Sequence, residues 1–164
     1  MKLTQEYLSY EGTQYLFEYE DADSFEHLPY GKCTQVYGVC FYEDKMVIVH
    51  HGEKKHWGLV GDTIEIGETF EETLIREIKE ESNMEVLDFL PVGYQKVINI
   101  KDNSYIYQLR YVCVVKPYGP FVSDPAGSIT KIALINPSDY KKYFDWGNTG
   151  ERIIQRAREL VVKN

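Results

Sequence analysis

The sequence is short of cysteine, of long apolar runs and of positive charge. Cys33, Cys40 and Cys113 are the only cysteines in 164 residues. Their number is odd, their spacing is wide, and no C-x-x-C or Cys/His ligand pattern accompanies them, which argues against a disulfide framework and a structural zinc. There is no N-terminal apolar run and no stretch of membrane-spanning length. The expectation is a soluble, cytoplasmic protein in a reducing compartment, with no membrane partner. The 18 Lys and Arg against 26 Asp and Glu leave a formal charge of −8. Such a surface repels a phosphate backbone, so no nucleic-acid polymer is expected as a partner. Internal repeats, low-complexity tracts and heptads are missing too, which excludes solenoids and coiled coils.

What is present suits one domain, 1–164, able to bury a proper core, with 43% hydrophobic and 14% aromatic residues. Tyr7 to Tyr10 and Tyr15 to Tyr19 are β-favouring runs around Glu11-Gly12, a hairpin signal. Residues 20–32 are acidic and turn-rich and read as a loop. Val36 to Tyr42 and Lys45 to His51 form a second hairpin around Glu43-Asp44, and His50, His51 and His56 read as solvent-facing imidazoles. Val86 to Ile100 and Tyr105 to Val115 read as long antiparallel neighbours, residues 117–127 as an irregular loop, and Ile129 to Ile135 as a short strand. Pro137-Ser138 opens a helical turn. A terminal helix runs from Gly150 to Val162 with Ile153, Ile154, Ala157, Leu160 and Val161 inward. The pattern is α/β: a mixed sheet covered by helices on two faces.

The chemistry is concentrated between Gly58 and Met84. Thr69 and Glu72 make a capping box, so a helix starts at Phe70, with Phe70, Leu74 and Ile78 as its apolar stripe and Asn83 as a left-handed stop. Glu77, Glu80 and Glu81 stand at i, i+3 and i+4 and share one face. Their repulsion costs about 0.5–1 kcal/mol on an exposed helix, which a solvated acidic face tolerates, so crowding alone decides nothing. The flanks decide it. Gly58, Gly61 and Gly67 punctuate a loop that also carries Glu65 and Glu68, and a glycine loop beside clustered carboxylates is a hard-oxygen site suited to Mg²⁺ or Mn²⁺ with substrate phosphates. Arg76 flanks the acidic row and is placed to orient a carboxylate such as Glu68, or to pair with it and tie loop to helix.

Glu68, seven residues, then Arg76-Glu77-Ile78-Lys79-Glu80-Glu81 resembles the signature of the Nudix hydrolases, G-x5-E-x7-R-E-U-x-E-E-x-G-U, with U a bulky aliphatic. The four glutamates, the arginine, Ile78 and Met84 are in register. Asp62 and Asn83 stand where the pattern has glycines. Asn83 suits a left-handed cap, whereas Asp62 raises the question of an uncommon backbone conformation and adds a negative charge beside the metal.

The resemblance implies a Nudix-type α/β/α sandwich, here with an N-terminal β-hairpin. It also implies metal ligation by Glu77, Glu80, Glu81 and the Gly61 carbonyl, and Glu80 or Glu77 as the group that activates water. The implied reaction is Mg²⁺- or Mn²⁺-dependent hydrolysis of a nucleoside diphosphate linked to another moiety, a small-molecule substrate. The alternative is a non-catalytic nucleotide-binding or sensor module of the same fold, motivated by Asp62 and Asn83. For substrate contacts the sequence offers Trp57, Tyr118, Phe121 and Asp124, with Tyr30, Trp146 and Asp102 as further candidates. Homodimerisation is left open.

Overall fold

The computed structural model describes residues 3–162. Its strands are β1 (Leu3–Tyr10), β2 (Thr13–Asp21), β3 (Cys33–Tyr42), β4 (Lys45–His51), β5 (His56–Gly58), β6 (Val60–Thr63), β7 (Met84–Asn99), β8 (Tyr105–Pro117) and β9 (Ile129–Ile135). Two α-helices, α1 (Phe70–Ser82) and α2 (Gly147–Val162), complete it, with 3₁₀ turns at Tyr30–Lys32 and Pro137–Lys142. The first hairpin turns at Glu11 and Gly12, both with positive φ, as a tight two-residue hairpin requires.

The sheet runs β1-β2-β7-β8-β3-β4-β5, with β6 added to β3 and β9 to β4. Neighbours are antiparallel except β3 and β8, which run parallel from Cys33↔Tyr107 to Phe41↔Val114. β3 is the fork of the sheet. Its Gln35–Gly38 half pairs with β6 and its Cys40–Tyr42 end pairs with β4. The segment 56–63, expected as loop, therefore forms two short strands, because its amides find partners on β4 and β3 that no local pattern announces.

Alternation along the central strands sends side chains to two cores. On one face Val36, Cys40, Leu109 and Cys113 pack beneath Leu74 and Ile78 of α1. On the other Val39, Phe41, Ile48 and Val112 pack beneath Ile153, Ile154 and Ala157 of α2. Each fully buried Leu or Ile contributes about 1.5–3 kcal/mol, so the two helices hold the sheet between them. Among the described residues no helix is long and apolar enough to cross a membrane.

Helix α1 begins and ends as the sequence predicts. Thr69 Oγ1 accepts from the Glu72 amide at 3.1 Å, and Glu72 Oε1 accepts from the Thr69 amide at 3.1 Å. Asn83 closes the helix at φ 56°, ψ 44°, and its side chain donates to the Pro120 carbonyl at 3.0 Å. Replacing Thr69 by Ala removes one half of the box. The expected loss is about 1 kcal/mol, read as a melting temperature lower by about 2–4 °C; an unchanged urea midpoint would contradict the cap.

Candidate active site

Strand β6 and helix α1 meet at Gly61. A Cβ there would lie 2.2 Å from the Val36 carbonyl oxygen and 2.6 Å from Tyr37 Cα, at a φ of +144°. Only glycine lets β6 come this close to β3. The close approach puts the Gly61 amide 2.8 Å from Glu81 Oε1, to which it donates. The uncommon conformation falls on Gly61, and Asp62 is not among the residues with positive φ. An aspartate at this glycine position of the signature therefore costs no backbone strain.

Asp62, Glu77 and Glu81 converge, each offering a carboxylate oxygen within 4.8 Å of the others. Glu81 is only 2% exposed and Glu77 8%. Burial pushes the Glu81 carboxyl up to about 8, against the pull of its bond from Gly61 and helped by the charges of Glu77 and Asp62. Burial likewise pushes Glu77 up to about 7, although Arg76 pulls it down. Two buried acids beside a third charge hold protons near neutral pH or share a cation. An all-oxygen donor set of this kind fits Mg²⁺ or Mn²⁺.

Arg76 organises the remaining acids. Its Nε and Nη2 donate to the two oxygens of Glu68 at 2.6 and 2.9 Å, Nη1 to Glu77 at 2.7 Å and Nη1 to Glu80 at 3.3 Å. The fork holds the Glu68 carboxyl down to about 2. Glu68 is further held by the Glu65 amide at 3.0 Å and the Thr73 hydroxyl at 2.8 Å, so loop and helix form one unit. Glu80 lies outside the three-carboxylate cluster, half-exposed on the Arg76 side.

The other candidates are engaged in contacts of their own. Trp57 packs on His50 and Tyr143, at ring distances of 5.0 and 5.7 Å. Tyr118 is exposed beneath Lys79, and Phe121 packs against the α1 core. Asp124 is buried and spent on its own loop, accepting from Ala126, Ser128 and Ile129 at 3.0 Å each. Asp102 closes a turn with Ser104 at 2.9 Å, and Tyr30 stacks on Phe70 while its hydroxyl donates to the Glu68 carbonyl.

Trp146 alone of these lines a cavity of about 470 Å³, whose walls also include Tyr37, Gln95, Gln108 and Arg110. His51 and His56, read as solvent-facing, line it as well, and His51 is half-buried. Leu59 belongs to the same wall, two residues before Gly61. The cavity shares Tyr37 with the surroundings of the carboxylate cluster, since the charges of Asp62, Glu77 and Glu81 reach that ring. Neither it nor the role of Asp62 is legible in local spacing; the one sequence signal is a lone arginine in the apolar run of β8.

A helix-covered mixed sheet that sets a carboxylate helix behind a glycine-turned strand makes an α/β domain with an acid-lined site. A model of the Nudix domain family matches residues 33–155. The chain belongs to the Nudix family, with the fold and acidic helix of a Nudix-type hydrolase. Among solved structures it is similar to the Bacillus subtilis pyrophosphohydrolase BsRppH, at 17% identity and a TM-score of 0.68 over 87% of this chain and 91% of that one. It is also similar to a Nudix hydrolase from Nitrosomonas europaea, at 16% identity and a TM-score of 0.64 over 78% and 90%. The Nudix domain of Shewanella oneidensis NrtR, solved with ADP ribose, matches at 19% identity and a TM-score of 0.54 over 79% and 88%. No curated protein matches the chain by sequence.

The raised carboxyls set a pH dependence. Both groups titrate near 4.5 when unfolded and near 7 and 8 in the fold. The fold therefore binds these protons more tightly, and the stability they contribute is lost as pH rises through 7 and 8. In EDTA, going from about pH 7 to 9 is expected to cost about 2 kcal/mol, or about 5 °C in melting temperature. Millimolar Mn²⁺ should restore the loss at the upper pH. A metal-free melting temperature that is flat over this range would show that the carboxylates are not buried together.

Proposed function

We propose that this protein hydrolyses the diphosphate linkage of a nucleoside diphosphate joined to another moiety, with Mg²⁺ or Mn²⁺ as its cofactor. The observation that carries the reading is the convergence of Asp62, Glu77 and Glu81 at the Gly61 turn. The Asp62 charge pushes the pKa of Glu77 and of Glu81 upward, and hard oxygens packed so closely gain most from a doubly charged partner. When bound there, such a cation supplies the charge that offsets the diphosphate oxygens and lowers the pKa of a water. Glu77, Glu81 and Asp62 would hold it, with Glu80 and the Gly61 carbonyl beside them.

The protein's own groups do the rest. Glu80 reaches outward from α1 without being built into the cluster, so it is the carboxylate placed to orient an attacking water and take its proton, with Glu77 the next candidate. Arg76 keeps Glu77 and Glu80 in position through 2.7 and 3.3 Å bonds and anchors both to the loop through Glu68. The cavity beside the cluster has the size of a ligand site, suited to the nucleoside part of the molecule. The pyrophosphohydrolase BsRppH and the ADP-ribose complex of the NrtR domain support a nucleotide-type substrate.

The test is a panel of ADP-ribose, nucleotide sugars, dinucleoside polyphosphates and oxidised nucleotides, assayed for Mg²⁺-dependent release of phosphate or monophosphate. The double variant Glu80→Gln with Glu81→Gln should lose turnover on every accepted substrate, and unchanged rates would refute the assignment. Tight nucleotide binding without product, in Mg²⁺ or Mn²⁺, would make the protein a sensor instead.

Asp62 has its own measurement. Asp62→Asn keeps the bonds from the Thr63 amide and hydroxyl in reach but removes the charge. Mn²⁺ affinity, read by electron paramagnetic resonance, should fall by about tenfold or more; an unaltered affinity would remove Asp62 from the ligand set.

A further inference from the structure

Arg110 is the unusual charge of this molecule. It sits mid-strand in β8, between Tyr37 of β3 and Gly93 of β7, and is only 6% exposed. Arg76, Arg152 and Arg156 each meet a carboxylate, at 2.6, 2.6 and 2.8 Å. Among the described residues none comes within ion-pair distance of Arg110. Its Nη1 donates to the Leu109 carbonyl at 3.4 Å and its Nη2 to Gln108 Oε1 at 3.3 Å, both long and both to neutral acceptors. Its Nε is buried with no acceptor. A guanidinium carries five donors, so most of its hydrogen-bonding capacity goes unused. Burying a charge without a counter-charge costs several kcal/mol unless something else compensates.

The surroundings hold this guanidinium in place without neutralising it. Its carbon lies 4.6 Å from the centroid of the Tyr37 ring, a stack that fixes its plane. Gln108 Nε2 donates to Gln35 Oε1 at 2.7 Å, which turns Oε1 of Gln108 toward Arg110. Buried Gln95 is the cross-strand partner of Gln108. All four side chains, Tyr37, Gln95, Gln108 and Arg110, line the 470 Å³ cavity.

The cavity's acids are committed elsewhere: Glu6 accepts from the Thr149 amide at 3.2 Å and Asp145 from the Gly147 amide at 2.9 Å, both at the start of α2. Apart from Arg110 and the tyrosines Tyr7 and Tyr37, its remaining charged or chargeable groups are Lys54, His51 and His56.

We propose that this cavity receives a second anionic group of the substrate, a phosphate outside the hydrolysed diphosphate, with Arg110 as its primary contact and Gln95 and Gln108 beside it. The proposal rests on the hydrolase reading for where the diphosphate lies, but not for the anion site itself. Tyr37 of β3 is paired with Gly61 of β6 on one side and with Arg110 of β8 on the other, so the strand that carries Asp62 and the strand that carries Arg110 are two strand spacings apart, about 10 Å. A molecule laid across β6 would place its diphosphate at the carboxylates and a distal phosphate at Arg110. Trp146 in the same wall offers a face for the intervening base or sugar. The preferred substrates are therefore diphosphates that carry an additional phosphate monoester.

Two measurements test this. First, inorganic phosphate is titrated into the wild-type protein in EDTA, following the arginine Nε–H resonances by NMR. The Arg110 resonance should shift saturably in the millimolar range, and no shift would overturn the site with no variant needed. Second, kcat/KM is compared within pairs that differ only in the distal phosphate: ADP-ribose and its 2′-phosphate, NADH and NADPH, dephospho-coenzyme A and coenzyme A.

Wild type should favour the phosphorylated member of at least one pair by about tenfold or more. Arg110→Gln should erase that preference, lowering kcat/KM for the phosphorylated member by about tenfold more than for its partner. Arg110→Lys should retain part of the preference, and guards against a variant that does not fold. Equal losses on both members, or no preference in any pair, would overturn the proposal. Phosphate binding in EDTA with no turnover of any compound would defeat the hydrolase reading and leave the anion site standing.

Discussion

Repulsion among acids, restrained by a single guanidinium, is the constraint on which the site is built. Helix α1 places Glu77, Glu80 and Glu81 on one face, and burial beneath β6 makes their mutual proximity far more costly than on an open helix. Arg76 counters it by contacting Glu68, Glu77 and Glu80 at once. The bidentate grip on Glu68 is the strong end of this network, being short, planar and charge-assisted. Because Glu68 is also bonded to Thr73 and to the Glu65 amide, the loop cannot drift from the helix without exposing an unpaired charge. Structural and functional readings of the Arg76–Glu68 pair are thus one reading: orienting the carboxylates and tying down the loop are the same bonds.

Gly61 extends that unit to the sheet. Its missing side chain lets β6 lie against Tyr37, and its amide fixes Glu81. One strand therefore separates two sites of opposite character, acidic on the α1 side and cationic in the cavity lined by Arg110. A rigid partition of this kind fixes the distance between whatever binds on either side, which is what specificity for a long, doubly anionic molecule needs.

Much of this was legible in the chain because it is local. Both early hairpins, the long β7–β8 pair, β9 and the terminal helix follow from period and turn chemistry, and the capping box and Asn83 stop bound α1 to within a residue. The Arg76 to Glu68 spacing also carried its meaning openly, since loop and helix are contiguous. The parallel union of β3 with β8 joins segments some seventy residues apart, and β5 and β6 exist only because β4 and β3 present free edges. Asp62 looked like a liability at a glycine position, because nothing local reveals that Gly61 absorbs the unusual φ. Residue type alone marks out the aromatic candidates, and type does not say which ring faces a cavity: Trp146 lines it, whereas Trp57 packs on His50 and Tyr143.

Net charge explains why the two sites must be of this kind. At −8 the molecule repels any phosphate ester that approaches it. An anionic substrate is held only where that field is locally inverted. On the α1 side the inversion needs an added cation, which in the proposed function the clustered carboxylates would recruit. In the cavity it is built in, through a guanidinium that meets no carboxylate among the described residues, while the two acids lining the cavity, Glu6 and Asp145, are bonded to the start of α2. On these proposals the first site would bind anions only when loaded and the second at all times, which would make affinity for the anion and competence to cleave it separate properties of the same fold.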